Sequence, residues 1–292
     1  MNNISDDGLS DSALAVLAAA VGGHPLLVLG GPEPAGHAHA RGLAQMLGQF
    51  QRPAPLVCVP GEATARELTG FPRPAPDAPG GPLVRLRGGL MTAADGGVLH
   101  LPEADGMGPE VLGILGDAHR AGQVAFEVHG PRRTLWRPTR FHLVAGAAPG
   151  GKDQHPAAAA PARLWYYAQI RLVNPGAPEL DEHAMSAVVS ARRRSRRRMA
   201  AGRGGRWHAC APLWGIPWDS GDWALAPEGI ALVPTLERLA RAGLLSQFLG
   251  PARVIALAWS LADLRGIARP GRRELVDAVR LHRPDLSDLV EA

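Results

Sequence analysis

The residues with the clearest chemical potential lie in two glycine-bounded loops, each placed directly after a short apolar run. A triphosphate is held by a loop of the form G-x-x-x-x-G-K-[ST]. Its glycines allow a tight turn, its N–H groups surround the phosphates, and its Lys and hydroxyl reach the β/γ-phosphates and Mg²⁺. Gly31-Pro32-Glu33-Pro34-Ala35-Gly36-His37-Ala38 keeps the glycine spacing, but His37 stands at the Lys position and Ala38 at the hydroxyl position. Imidazole is mostly neutral at pH 7 and shorter than a lysine side chain, so it clamps phosphate poorly. Pro32 and Pro34 remove N–H donors, and Glu33 adds a negative charge. The second loop, Gly146-Ala147-Ala148-Pro149-Gly150-Gly151-Lys152, matches G-x-x-x-x-G-K and holds the only lysine among 31 basic residues. Asp153 then replaces Ser/Thr, and Gln154-His155-Pro156 with an alanine run to Pro161 makes a poor phosphate-binding helix. This second match is expected to be incidental.

Other chemistries have weaker signals. No G-x-S-x-G elbow is present, which argues against a Ser/His/Asp hydrolase. His24, His37, His39, His100, His129, His142 and His155 invite a metal, yet His37 and His39 are two apart and share no helical face. No Cys/His set has zinc spacing along the chain, so no metal is expected. Arg192, Arg193, Arg194, Arg196, Arg197 and Arg198 form a basic run suited to phosphates or to a solvated helix end. Arg132, Arg133 and Arg137 surround a turn and form a second candidate surface for nucleic acid or a partner. Trp207, Trp214, Trp218 and Trp223 crowd one connector, as partner anchors or as packing.

The elements that must position these groups follow from periodicity. Leu9–Val21 reads as an apolar-faced helix capped by Ser10 or Asp11. Strand-length runs at Leu26–Gly30, Leu56–Pro60, Val98–Leu101, Phe141–Gly146 and Gln169–Val173 alternate with helical stretches at His37–Gln49, Thr64–Leu68 and Pro109–Ala121. That alternation predicts an α/β fold with a mostly parallel sheet covered by helices. Gln123–Val128 and Arg133–Trp136 flank a turn and read as a β-hairpin. A helix from Glu179 leads into the arginine run, and Pro227–Gly243, Pro251–Arg265 and Arg272–Arg283 read as a terminal helical set. The expected division is 1–178 for the α/β core, 179–221 for a basic, Trp/Gly-rich linker and 222–292 for a small all-α lid. With 292 residues, 46% of them hydrophobic, and a net charge of +4, the chain has ordinary globular composition. No apolar run reaches a membrane span, Met1–Asp7 lacks a basic leader region, and the cysteines Cys58 and Cys210 suit a reducing cytoplasm.

The order of these pieces resembles the AAA+ family of magnesium-chelatase ATPase subunits and the competence protein ComM. The likeness rests on Gly22-Gly23-His24 before Leu26–Gly31 and on Arg87-Gly88-Gly89-Leu90 before Ala94-Asp95-Gly96-Gly97-Val98-Leu99. Gly122-Gln123-Val124 through Thr139–Ala145 is similar to the pre-sensor-1 hairpin and sensor-1 strand, and Arg253–Ala258 with Leu261–Leu264 to the lid helix. The resemblance implies a P-loop-type fold, ATP and Mg²⁺ as ligands, and a ring-forming homo- or hetero-oligomer. An active paralogue, an integrin-like-domain protein or DNA would be its partner, with no membrane involved. It also exposes losses. Pro102 occupies the metal-holding Walker B place, leaving Glu103 as a remnant catalytic carboxylate. Ala148 falls at sensor 1, Tyr167 at the arginine finger, and Arg253 is the sensor-2 candidate. Gly31, Gly36, His37, Ala38 and Arg253 would then line a degenerate nucleotide site. The expected function is a non-hydrolysing structural or regulatory subunit, with a divergent Mg-dependent ATPase and an arginine-rich nucleic-acid-binding module as alternatives.

Overall fold

The computed structural model describes residues 9–31, 36–49, 53–75, 83–128, 133–148, 168–201, 225–245, 250–286 and 288–291. Helix α1 (Asp11–Gly22) begins at Ser10, whose hydroxyl accepts from the Ala13 N–H, and ends at Gly23. Its residues 12–20 are buried on all sides, as a helix packed between two layers must be. Strand β1 (Leu26–Leu29) follows, then α2 (His37–Gly48), β2 (Leu56–Cys58) and α3 (Ala65–Thr69). Thr64 and Glu67 close a capping box on α3, each side chain bonding the other's backbone N–H. The chain continues through β3 (Gly70–Ala75), β4 (Leu83–Gly88), α4 (Leu90–Ala93), β5 (Val98–Leu101) and α5 (Pro109–Ala121). Strands β6 (Gln123–Val128), β7 (Arg133–Pro138), β8 (His142–Ala147) and β9 (Ile170–Val173) come next. The last elements are α6 (Glu182–Ala201), α7 (Pro227–Ile230), α8 (Val233–Arg241), α9 (Gly250–Arg265), α10 (Arg272–His282) and α11 (Asp288–Glu291).

Five strands form one parallel sheet in the order β2-β5-β8-β1-β9, with Leu26 opposite both Val144 and Ile170. The chain leaves β1 for the far edge at β2, returns through β5 and β8, and reaches the other side of β1 with β9. Ligands of open α/β sheets bind outside the carboxyl ends of the strands where the order reverses, and here that place is the tip of β1. The parallel sheet, its strands and the β6–β7 hairpin lie where the sequence placed them.

One pair of strands departs from the pattern the sequence predicts. β3 and β4 form an antiparallel hairpin, Gly70 to Gly88 through Ala75 to Leu83. Pro72 and Pro74 argue against a strand because neither can donate to a ladder. Among the described residues this hairpin has no further strand on either edge, so a missing N–H is tolerated there.

The core has two parts, one on each face of the sheet. Leu27, Leu29, Leu99, Leu101, Leu143 and Ala145 point toward the side holding α3, α5 and the β6–β7 hairpin. Leu26, Val28, Val98, Val144, Ile170 and Leu172 point toward α1 and α2, and that layer is continuous with α6 to α10. The segment assigned to a linker therefore contains a packed helix. Ala184, Ala187, Val188 and Ala191 of α6 recur at helical spacing and are buried against α1 and α9. The helices of 225–291 share this core rather than enclosing a separate one. Within them Arg265 reaches Glu274 Oε1 at 2.8 Å and also pairs with Asp277, all three being buried.

Candidate functional site

β1 runs into Gly30 and Gly31, with φ of 74° and 90°, and the chain re-emerges at Gly36, the residue preceding α2. Gly36 has φ of 78°, a left-handed conformation that glycine adopts without the steric cost of a side chain. The Ala40 N–H bonds the Gly36 carbonyl at 2.9 Å, so the N–H groups before it in α2 have no acceptor within the helix. A helix start of this kind is favourable to an anion. Its side chains are different. Ala38 offers no hydroxyl, and His37 Nε2 lies 3.0 Å from Arg41 Nη2. A guanidinium only donates, so that nitrogen is placed to accept. The His37 ring also sits 5.5 Å from the His100 ring, centroid to centroid, tilted by 54°.

Between Val28, Gly30, Gly36, Ala38, His39 and Pro175 there remains a cavity of about 10 Å³. That volume is near the lower limit for one water molecule. His39 lines it, and its buried Nε2 has no hydrogen-bond partner among the described residues. Burial, and then the neighbouring His100, hold the His39 pKa down to about 4, so this ring is neutral at pH 7.

The end of β5 completes the picture. Pro102 follows Leu101 and carries no carboxylate, and Glu103 is exposed beside Gly61, where an added Cβ would lie 2.9 Å from Glu103 Oε2. Asp105 Oδ2 accepts from the Ala148 N–H at 3.2 Å, which links the ends of β5 and β8. Cys58, on β2, is the registered partner of His100 on β5, and its Sγ lies 3.7 Å from His100 Nδ1. Ligand atoms of His37, Cys58 and His100 all fall within 4.8 Å of one another. Spacing along the chain hid this cluster, because its members come from three separate elements. A signal was present all the same. Leu56–Pro60 and Val98–Pro102 each carry the polar residue third and the proline fifth, so parallel pairing in register sets Cys58 beside His100.

Arg253 is elsewhere. Its carbonyl accepts from Gln169 Nε2 at 2.9 Å, at the start of β9, where Gln169 N–H also bonds Pro25. Arg253 thus sits at the amino end of the strands, a strand length of roughly 13 Å from the tip of β1, away from Gly31 and Gly36. His282 joins it there, its Nδ1 at 2.7 Å from the Gln169 carbonyl, and Arg171 donates to the His282 carbonyl.

The arginine candidates divide. Arg194 Nε donates to the Asp263 carbonyl at 2.8 Å, and Arg198 Nη1 meets Asp263 Oδ1 at 2.6 Å while its guanidinium lies over Trp259 at 4.2 Å. These two fasten α6 to α9. Arg193, Arg196 and Arg197 are exposed, and Arg192 is half-buried. Arg137 donates to the Leu86 carbonyl at 3.1 Å and so joins the β6–β7 hairpin to β4. Arg132, the Arg133 side chain, Lys152, Tyr167 and the four connector tryptophans lie outside the described residues.

Searches against protein-family models and against curated proteins found no match to this chain. Among the described residues no helix is long and apolar enough to cross a membrane.

Proposed function

We propose that this chain is a non-hydrolysing P-loop-type module of the magnesium-chelatase/ComM-like AAA+ kind, acting as a structural or regulatory subunit of a larger assembly. The observation that carries this reading is the tip of β1. Gly31, Gly36 and the helix start that would face a phosphate are kept, while the ammonium, the hydroxyl and the Walker B aspartate are replaced by His37, Ala38 and Pro102. His37 is engaged with Arg41 and lies tilted against the His100 ring. Loss of even one group that stabilises transferring charge costs orders of magnitude in rate, and here several are absent together. What remains useful to such a protein is its shape.

The two alternatives have less support. A divergent Mg-ATPase would need Glu103 to act on a water held by metal and phosphate, and Glu103 stands exposed at the end of β5. A nucleic-acid surface on α6 loses Arg194 and Arg198 to internal bonds with Asp263. Light scattering of the purified chain, and of the tagged chain drawn from its own host, tests the proposal. A discrete complex of defined stoichiometry is expected. A monomer's mass in both preparations would refute it.

A further inference from the structure

We propose that His37, Cys58 and His100 form a binding site for a borderline or soft divalent cation of the zinc class, with one coordination position left open. This rests on the side-chain geometry alone and is independent of the function proposed above. Three elements converge on it: the first residue of α2, the last residue of β2 and the third residue of β5. Because Cys58 and His100 are registered partners on adjacent parallel strands, their side chains leave the same face of the sheet, the face over which α2 packs.

The distances suit tetrahedral coordination. Zn–S of about 2.3 Å and Zn–N of about 2.0–2.1 Å at tetrahedral angles set ligand atoms about 3.5 Å apart. Cys58 Sγ and His100 Nδ1 already stand at 3.7 Å. No separation in the group exceeds 4.8 Å, so the side chains reach that tetrahedral edge by shifts of little more than about 1 Å. The position of His37 at the start of a helix, half-buried beside a glycine, gives the ring room to turn. Arg41 occupies His37 Nε2 and must release it for that nitrogen to coordinate; Arg41 is exposed and can swing into water. One thiolate and two imidazoles select zinc-like cations over magnesium or calcium, which prefer oxygen. Three protein ligands with a fourth place open to water is the arrangement of a metal that can also hold a small anionic ligand.

Cobalt(II) titration of the full chain, followed by competition with zinc(II), tests the proposal. A thiolate-to-cobalt charge-transfer band saturating at one equivalent is expected. Cys58→Ser should abolish the band and weaken zinc binding more than the roughly 10–100-fold typical of outer-shell changes. His37→Ala should weaken zinc binding by at least that factor while keeping the band. Arg41→Ala should tighten binding. Cys58 is exposed on an edge strand, so Cys58→Ser leaves the fold intact, which circular dichroism checks. Cys210→Ser should leave the band unchanged. Absence of a thiolate band in the native chain, or a band lost with Cys210→Ser and kept with Cys58→Ser, would overturn the assignment.

Discussion

Acid should unfold this protein at an unusually high pH, and one substitution should remove a known part of that sensitivity. Burial holds both His24 and His119 down to about 4 from an ordinary 6.5. His24 is enclosed by Ser260 Oγ of α9 at 2.8 Å, by the Gln169 side chain and by His142 of β8. His119 lies against the Phe141 ring and beside Arg120. The unfolded chain takes up these protons as pH falls through 6.5, whereas the folded chain refuses them until about 4. Their contribution is therefore complete above 6.5 and is lost between 6.5 and 4. At pH 5 the loss is about 2 kcal/mol for each, a large share of a typical 5–15 kcal/mol stability. His142, drawn down by burial and Arg192, and His282, drawn down by burial and Arg171, act in the same direction. Asp263 opposes them from the ordinary carboxyl range upward, since burial raises its carboxyl, although Arg198 and Arg194 counter that rise. His24→Gln keeps a polar atom near Ser260 but cannot titrate. It should cost about 1 kcal/mol at pH 7.5 and recover about 2 kcal/mol of acid loss at pH 5. Urea unfolding at stepped pH should show the two stability curves crossing near pH 6. Parallel curves, or a native stability unchanged from pH 7.5 to 5, would refute the reasoning.

Further expectations concern packing and charge. Arg265→Ala leaves Glu274 buried without its cation and Asp277 with Arg280 alone, and should cost about 3–5 kcal/mol in a denaturant melt. Arg198→Ala exposes the same problem at Asp263 and should destabilise by about 2 kcal/mol or more, whereas Arg197→Ala, fully on the surface, should stay within about 0.5 kcal/mol. Gly22→Ala would place a Cβ 2.2 Å from His24 Nε2 and 2.4 Å from Ser260 Oγ, and should lower the melting temperature with a cost of about 1–3 kcal/mol.

Most of the fold could be read from local pattern because its strands are short apolar runs bounded by Gly or Pro. Val98–Leu101 carries full burial in four residues, and α5 starts at Pro109 and stops before Gly122. The β3–β4 hairpin was illegible because its prolines mimic a loop, and only its two-stranded isolation makes them tolerable. Packing of α6 was half legible: the alanine and valine stripe marks a buried face, but the inward turn of Arg194 and Arg198 depends on Asp263, far along the chain. The site followed the same division. Loss of the lysine and hydroxyl at His37 and Ala38 is a one-dimensional fact. That Arg253 stands at the amino end of the sheet, and that Cys58 joins His37 and His100, are facts of register and topology. Neither can be counted off along a sequence.

The central claim concerns what the tip of β1 can do to ATP. Phosphate release from Mg-ATP by the purified full chain, compared with His37→Ala and Lys152→Ala, tests it most directly. No release above the buffer rate in any of the three is the predicted result. Turnover by the native chain that disappears with either substitution would contradict it.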